Sequence, residues 1–286
     1  MFVIVGAIVV VVCVFGGFII EGGHMAVLIQ PIELMIIGGA GVGSLLISAP
    51  VSVIKDMLHQ IGGVLKGKEV TKAQYLEVLL LMYEIIKTAK GNPLSLEAHV
   101  EKPENSEIFK KYPTVLANHH AVGFICDTLK VQISSPVSPY DLEDLMDKDI
   151  ETAHSTELQA STTLNRTGDA MPGLGIVAAV LGVVITMGKL TEGKEVIGHS
   201  VAAALVGTFI GILLSYGFLG PLAAKMVTSL DEQGQFLIVI KAGLLAYAKD
   251  CSPKVCVEFA RRSIPPHVRP GFEEVDKATS GAKAAA

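Results

Sequence analysis

The fold is decided by two apolar segments, MPGLGIVAAVLGVVITMG at residues 171–188 and SVAAALVGTFIGILLSYGFLGPLA at residues 200–223. Neither segment contains an aspartate, glutamate, lysine or arginine. A helix rises 1.5 Å per residue, so about 18–20 apolar residues cross the roughly 30 Å hydrocarbon core of a bilayer. Each segment is long enough to do so, and the sequence therefore predicts a protein with transmembrane helices.

Small residues recur on one face of each apolar segment. The first segment has Gly175 and Gly182, and the second has Gly207 and Gly211. In lipid the hydrophobic effect does not draw helices together, so faces of small residues indicate close helix packing. We expect these four glycines to lie in a helix–helix contact, although such a contact would also occur in any other polytopic membrane protein.

Two prolines mark the outer ends of the pair. Pro172 opens the first segment and Pro221 closes the second, and the short loop between them requires an antiparallel pair with both prolines at one membrane face. Asp169 is predicted to cap the first helix, which places Pro172 in its first turn. Pro221 removes a backbone hydrogen bond near a helix end and favours a kink. The prolines are therefore either ordinary helix boundaries or a functional pair.

Two further transmembrane helices are predicted at residues 2–20 and 32–49. The first is read as a retained helix rather than a signal peptide, because no basic region precedes it and no small-x-small cleavage site follows it. In the second, Gly39 and Gly43 have the spacing of a packing face. The chain thus has four predicted membrane spans.

Basic residues set the predicted topology. The loop at 21–31 has no lysine or arginine, whereas residues 55–168 carry twelve and the tail after Pro221 carries nine. The positive-inside rule then puts the central region and both termini in the cytoplasm. The predicted division is transmembrane helices 1 and 2 at 1–54, a cytoplasmic helical domain at 55–168, transmembrane helices 3 and 4 at 169–225, and a cytoplasmic C-terminal helix and tail at 226–286.

The cytoplasmic regions have helical periodicity, so the predicted fold class is all-α, a polytopic membrane protein with a helical cytoplasmic domain. The end from Pro265 onward is predicted to be poorly ordered. The predicted helices are residues 71–90, ending at Gly91-Asn92-Pro93, a helix from Pro113 to about Ile133, an amphipathic helix at 140–166 that leads into the third span, and residues 222–250, with an apolar stripe through Phe236, Leu237, Ile240 and Leu244.

Composition and motifs argue against several classes of function. The net charge of −5 disfavours nucleic acid as a partner. The sequence has no GxxxxGK[ST], GxSxG or HExxH motif, so no enzyme, catalytic residue or cofactor is predicted. No metal site is expected, because the adjacent His119 and His120 would point in different directions on a helix. The cysteines are interpreted as reduced structural thiols: Cys13, Cys126, Cys251 and Cys256.

Several stretches together resemble the MotA family of flagellar motor stator proteins over nearly the whole chain. The resemblance implies a pentameric ring around a MotB dimer in the bacterial inner membrane, with the third and fourth spans lining the ion path. It also implies that MotB supplies the proton-accepting aspartate, and that the ring engages charged residues of the rotor protein FliG. The matching stretches are QPIELMIIGGAGVGS at 30–44, SEIFKKYP at 106–113, LMDKDIE at 145–151, PGLGIVAAVLGVV at 172–184 and VGTFIGILLSYGFLGPLA at 206–223.

The resemblance assigns roles to individual residues of the predicted ion path. Pro172 and Pro221 match two functional prolines of the family, which would couple protonation to cytoplasmic movement. Thr208 and Tyr216 match polar positions near the ion path. Ala179 stands where sodium-driven relatives have a threonine, and a methyl group offers no oxygen to replace the water of a sodium ion. The resemblance therefore favours protons as the transported ion.

The resemblance also indicates residues that would contact the rotor. Glu97 matches the acidic residue of the family. Relatives often have two consecutive arginines where this chain has Ala89 and Lys90, so Lys90 is the expected basic partner and Lys87 is its alternative.

An ion carrier within the membrane needs an ionisable group facing the interior of the helix bundle. The third and fourth predicted spans have none, so another polypeptide must provide it if the chain conducts protons. The predicted function is a stator subunit that forms a proton channel with MotB and converts the proton motive force into torque. The alternatives are a non-conducting membrane scaffold and an energising subunit like ExbB or TolQ, although those proteins have three spans in a different order.

Overall fold

A computed structural model describes residues 2–67, 70–135, 137–188 and 193–281, among which there are helices and turns but no β-strand. This confirms the predicted all-α fold. The chain divides into two compact units. The membrane unit comprises Met1–Lys68 and Thr156–Ser229, and the polar unit comprises Glu69–Ser155 and Leu230–Ala286. Lys68, one of the basic residues used to predict topology, lies outside the described residues.

Among the described residues, four stretches of helix are long and apolar enough to cross a membrane, as predicted: Phe2–Ile20, Met25–Ser48, Pro139–Met187 and Ser200–Ala248. Helix α1 has no buried residue, which is the pattern of a helix surrounded by lipid. The first four helices are α1 (Phe2–Ile20), α2 (Met25–Leu28), α3 (Pro31–Ser48) and α4 (Val51–Leu65). Helix α4 belongs to the membrane unit, so the fold has no boundary at residue 54. That the chain leaves the lipid near residue 54 stays a prediction.

The helix that contains the third predicted span does not begin at Pro172, and the prediction that Asp169 caps it was wrong. Helix α10 runs without interruption over Pro139–Met187, with Pro172 inside it. The Asp169 carboxylate accepts a hydrogen bond from the Asn165 side-chain amide (3.1 Å). No proline interrupts residues 140–171, so the helix continues from Pro139 through Pro172.

The helix that contains the fourth predicted span likewise continues past Pro221. Helix α11 (Lys194–Ile212) is followed by a π-helical segment (Leu213–Leu219) and then directly by α12 (Gly220–Ala248). In the π segment the Gly220 N–H donates to the Ser215 carbonyl, five residues earlier. Just before the proline, the N–H groups therefore reach carbonyl oxygens five residues back instead of four. Single π segments inside α-helices often occur at functional sites. The predicted helix after Pro221 is confirmed.

The polar unit has a large apolar core. Side chains that are fully buried include Tyr75, Phe109, Leu129, Ile240 and Leu244. They come from helices packed around α5, whose start carries a reciprocal Thr71–Gln74 capping box and whose end matches the predicted stop. The helices of this unit, besides the parts of α10 and α12 that it contains, are α5 (Lys72–Gly91), α6 (Glu97–Glu101), α7 (Glu107–Lys110), α8 (Pro113–Leu116), α9 (His119–Ser134), α13 (Pro253–Ser263) and α14 (Phe272–Gly281).

The predicted helix from Pro113 to Ile133 is two helices. Asn118 separates α8 from α9, and its side-chain oxygen accepts a hydrogen bond from the Ala121 N–H (3.2 Å). Asparagine satisfies a helix start better than it does a helix interior, so it divides the segment.

The described residues after Pro265 include helix α14 and are ordered, contrary to the prediction, while residues 282–286 lie outside the described residues. Helix α14 buries Val275 against the core of the polar unit. Ion pairs join Glu274 to Lys72 (2.7 Å) and Asp276 to Lys254 (2.6 Å). A short apolar stripe is enough to hold this helix because it packs against the larger core of the polar unit.

Candidate functional site

The third and fourth spans form an antiparallel pair that is packed backbone to backbone. A methyl group added to Gly175 would lie 2.7 Å from the Gly207 carbonyl oxygen and 3.3 Å from Cα of Gly211. One added to Gly182 would lie 2.8 Å from Cβ of Ala204. Atoms cannot approach so closely, so the structure brings the four predicted glycines to contacts where a larger residue would push the helices apart.

Both prolines lie at the same end of this pair. A methyl group on Gly168, one turn before Pro172, would lie 3.1 Å from Cβ of Leu219, two residues before Pro221. Pro172 is half-buried and Pro221 is exposed. Neither has an N–H, so each removes one backbone hydrogen bond to the preceding turn of its helix. The backbone of both helices is therefore weakened near one end of the contact.

The three predicted ion-path residues are only partly brought together. Thr208 is half-buried beside Gly175, whose added methyl group would lie 3.2 Å from its Cα. Ala179 lies across the same contact, with its N–H nitrogen 3.5 Å from a methyl group on Gly207. Tyr216 is in the π segment, eight residues beyond Thr208, and is 71% exposed. A tyrosine that faces outward here is available to a second chain.

The second span packs through a glycine that the sequence analysis missed. A methyl group on Gly39 or Gly43 would meet nothing within 4 Å in this chain, contrary to the predicted packing face. Gly41, between them, is buried, and a methyl group on it would overlap the end of Met171. Met171 shares a small buried cluster with Ile37, so α3 contacts α10 directly beside Pro172.

The predicted rotor-contact residues are on the polar unit. Lys90, in the last turn of α5, forms an ion pair with Asp250 (2.6 Å). The hydrogen bond between them raises the pKa of Lys90 and lowers the pKa of Asp250. Glu97 is exposed at the start of α6 and, in the described part of the chain, has no ion-pair partner. Lys87 is also exposed.

The cysteines have the character of structural thiols where they are buried. Burial raises the pKa of Cys126 and of Cys256 to about 11, so both remain protonated at neutral pH. Across the described ranges, no group of three or more histidine, cysteine, aspartate or glutamate residues could hold a metal ion.

Four spans, an uncharged helix pair joined through glycines, and a helical polar unit define an all-α, multi-pass membrane protein. Two family profiles match the chain: Motility protein A N-terminal over residues 4–93, and the MotA/TolQ/ExbB proton channel family over residues 117–236. Motility protein A of Salmonella typhimurium is 37% identical over 97% of this chain and 94% of that protein. The chain belongs to the motility protein A family.

A second relative agrees with this assignment, and two solved structures share the fold. Chemotaxis protein LafT of Vibrio parahaemolyticus is 37% identical over 95% of this chain and 96% of its own length. The flagellar MotAB stator complex of Bacillus subtilis contains a chain with the same fold, at a TM-score of 0.74 and 22% identity, with 93% of this chain and 96% of that one covered. A chain of C. jejuni MotAB has a TM-score of 0.76 at 18% identity, covering 92% and 95%. These relatives are named as motility, chemotaxis and flagellar stator proteins, and none of the names is that of an enzyme.

Proposed function

We propose that the chain is a stator subunit of the bacterial flagellar motor and that it forms a proton channel with MotB, which converts the proton motive force into torque. The observation that carries the proposal is the uncharged, glycine-packed helix pair with Pro172 and Pro221 at one end. The names of the relatives, Motility protein A and the MotAB stator complex, support it.

The proton carrier would come from MotB. The apolar segments at 171–188 and 200–223 have no acidic or basic side chain, whereas proton relays within membranes are built from ionisable side chains. A MotB helix with one aspartate would supply that group beside Thr208 and Tyr216. Ala179 offers no oxygen ligand, so the ion would be a proton rather than sodium.

The prolines would couple protonation to movement. A change of charge on MotB would act on the pair where Pro172 and Pro221 weaken the backbone, and the displacement would pass along α10 and α12. The charged residues Lys90 and Glu97 would then contact FliG. Support for this part is the sequence resemblance together with the exposure of Glu97.

The assembly would be a ring of five copies around a MotB dimer in the inner membrane, with both termini in the cytoplasm. The excess of basic residues in the regions 55–168 and after Pro221 supports this orientation. The closely packed glycine faces support an assembly in which each copy keeps its own helix pair rigid.

The test is proton flux. The chain and MotB are co-purified and reconstituted in lipid vesicles, and proton uptake is followed under an imposed potential with and without sodium. We expect uptake that is independent of sodium and is lost when the MotB aspartate is changed to asparagine. A correctly assembled complex without flux would favour the non-conducting scaffold. Flux that requires sodium would contradict the assignment of the ion but not that of the channel.

The ExbB- or TolQ-like alternative is disfavoured by two observations. Residues 4–93 match the Motility protein A N-terminal profile, and the chain has four candidate spans rather than three. Restoration of swimming in a strain that lacks its stators, by this chain together with MotB, would separate the two functions directly.

A further inference from the structure

Lys90 is held by two oxygen atoms of one residue to which the proposed function gives no role. Its ammonium group lies 2.6 Å from a carboxylate oxygen of Asp250 and 2.9 Å from the carbonyl oxygen of the same residue. The Lys90 side chain is 28% exposed, whereas that of Asp250 is 96% exposed. The lysine is thus drawn against the polar unit, while the aspartate stays accessible to a partner from solution.

Asp250 also has a backbone conformation that is unusual for its residue type. Its φ is 59°, and no other non-glycine residue in the described ranges has a positive φ. The Asp250 N–H donates to the Tyr247 carbonyl (2.9 Å) and the Cys251 N–H to the Ala246 carbonyl (3.0 Å), which ends α12. Glycine is the usual residue at this position of the motif because it has no Cβ to strain. An aspartate held there points to a role for its side chain.

We propose that Asp250 is the resting counter-ion of Lys90 and a positioning residue for the rotor contact. It holds the ammonium group at the end of α5 until an acidic side chain of the rotor replaces the carboxylate. The proposal rests on the proposed contact between Lys90 and FliG. Exchange is feasible because exposed ion pairs contribute little to stability and are screened by salt. The Asp250 carbonyl oxygen can keep the lysine in place during the exchange.

The neighbouring Lys87 provides the matched comparison. It lies one turn earlier on the same helix, is exposed, and has no ion-pair partner in the part of the chain that the structure describes. The two lysines carry the same charge on one helix, but Asp250 neutralises only Lys90. A change at Asp250 should therefore alter the rotor contact through Lys90 and not through Lys87.

The test measures binding of purified FliG to the full-length chain in complex with MotB in lipid nanodiscs. Asp250→Asn is the main variant, because asparagine has nearly the same shape and tolerates the left-handed conformation while it removes the charge. We expect the Kd to fall by about two- to fivefold, since a lysine with an internal partner is available for only part of the time. This gain in affinity for FliG should vanish in a Lys90→Ala background and persist in a Lys87→Ala background.

Asp250→Gly is the second variant, because it removes the carboxylate and also relieves the backbone. Melting temperatures are measured for both variants. An Asp250 with a purely structural role would change the melting temperature and leave the Kd unchanged, which would overturn the proposal, as would a gain that persists in the Lys90→Ala background. If Lys90→Ala alone leaves the Kd unchanged, the proposed rotor contact itself is wrong.

Discussion

The contacts inside the membrane unit differ in kind from the contacts inside the polar unit. In the membrane unit the backbones meet at glycines, as at Gly175 and Gly207. In the polar unit large side chains such as Tyr75 and Phe109 fill a core from which water is excluded. Burying a large apolar side chain from water contributes about 1.5–3 kcal/mol, but lipid is as apolar as the side chain and gives no such gain. The membrane unit therefore depends on close fit, and the polar unit on buried area.

The largest effect should come from an added side chain at the glycine contact. We expect Gly207→Leu to abolish the assembled complex, because even a methyl group there would lie 3.2 Å from Cβ of Ala178. Native mass measurement of the detergent-purified complex gives the result. Gly198→Leu is the control, because the same helix has open space around Gly198. An unchanged oligomer for Gly207→Leu would show that fit does not hold the membrane unit together.

Substitution of the prolines should lower the torque without lowering the stability of the protein. Alanine restores the missing N–H and favours a helix interior by about 3 kcal/mol over proline in soluble helices. We therefore expect Pro172→Ala and Pro221→Ala to assemble normally, with an unchanged or higher melting temperature, and to lose most of the torque. Torque per stator is measured beside protein level. Normal torque from both variants would leave the prolines without a coupling role.

The polar unit should respond to lost area rather than to added bulk. Phe109 is fully buried, so Phe109→Ala should destabilise this unit by about 3–5 kcal/mol through lost transfer energy and a cavity. Thermal melting of the purified complex measures the change. Phe259→Ala is the control, because Phe259 is 53% exposed. Equal effects of the two substitutions would contradict the buried-area explanation.

The smallest effect should be a dependence of stability on pH within the polar unit. Hydrogen bonds from Arg261 and Arg262 lower the pKa of Glu258 to about 2 from its usual 4.5. This carboxylate therefore stabilises the fold fully above about pH 4.5, and the contribution is lost as the pH falls toward 2. Glu258→Gln should melt at a lower temperature at pH 6 and lose less on going to pH 3. Glu273→Gln, at an exposed carboxylate, should follow the unmodified protein at both pH values.

The sequence predicts the parts of the structure that depend on many neighbouring residues. Helix α1 follows from an uninterrupted apolar run, and the end of α5 follows from Gly91-Asn92-Pro93. Pro172 shows where local patterns are ambiguous. An aspartate shortly before a proline is typical of a helix start, yet the same residues occur here inside a helix that began at Pro139. The upstream helix, not the local pattern, decides the outcome.

The features that the sequence analysis did not predict depend on contacts between residues far apart in the chain. Gly41 rather than Gly39 or Gly43 is the packed glycine, because the position of Met171 on another helix determines which side of α3 is covered. The pair between Lys90 and Asp250 joins residues 160 positions apart. No spacing rule reveals such a pair. The left-handed conformation of Asp250 is likewise fixed by the end of α12 and not by its own residue type.

The two prolines give the helix pair a mechanical property as well as a shape. Bending a regular helix lengthens a backbone hydrogen bond, and that bond resists the bend. Pro172 has no N–H to reach the carbonyl of Gly168, and Pro221, directly after the π segment, has no N–H to donate to the preceding turn. Both helices are therefore more compliant at the same end, where thermal motion can flex them without breaking a bond. Collective motions of this kind occur in microseconds to milliseconds. The closely packed glycine region further along the pair is stiffer. A small bend at the prolines would therefore displace the far end of that region by a larger distance.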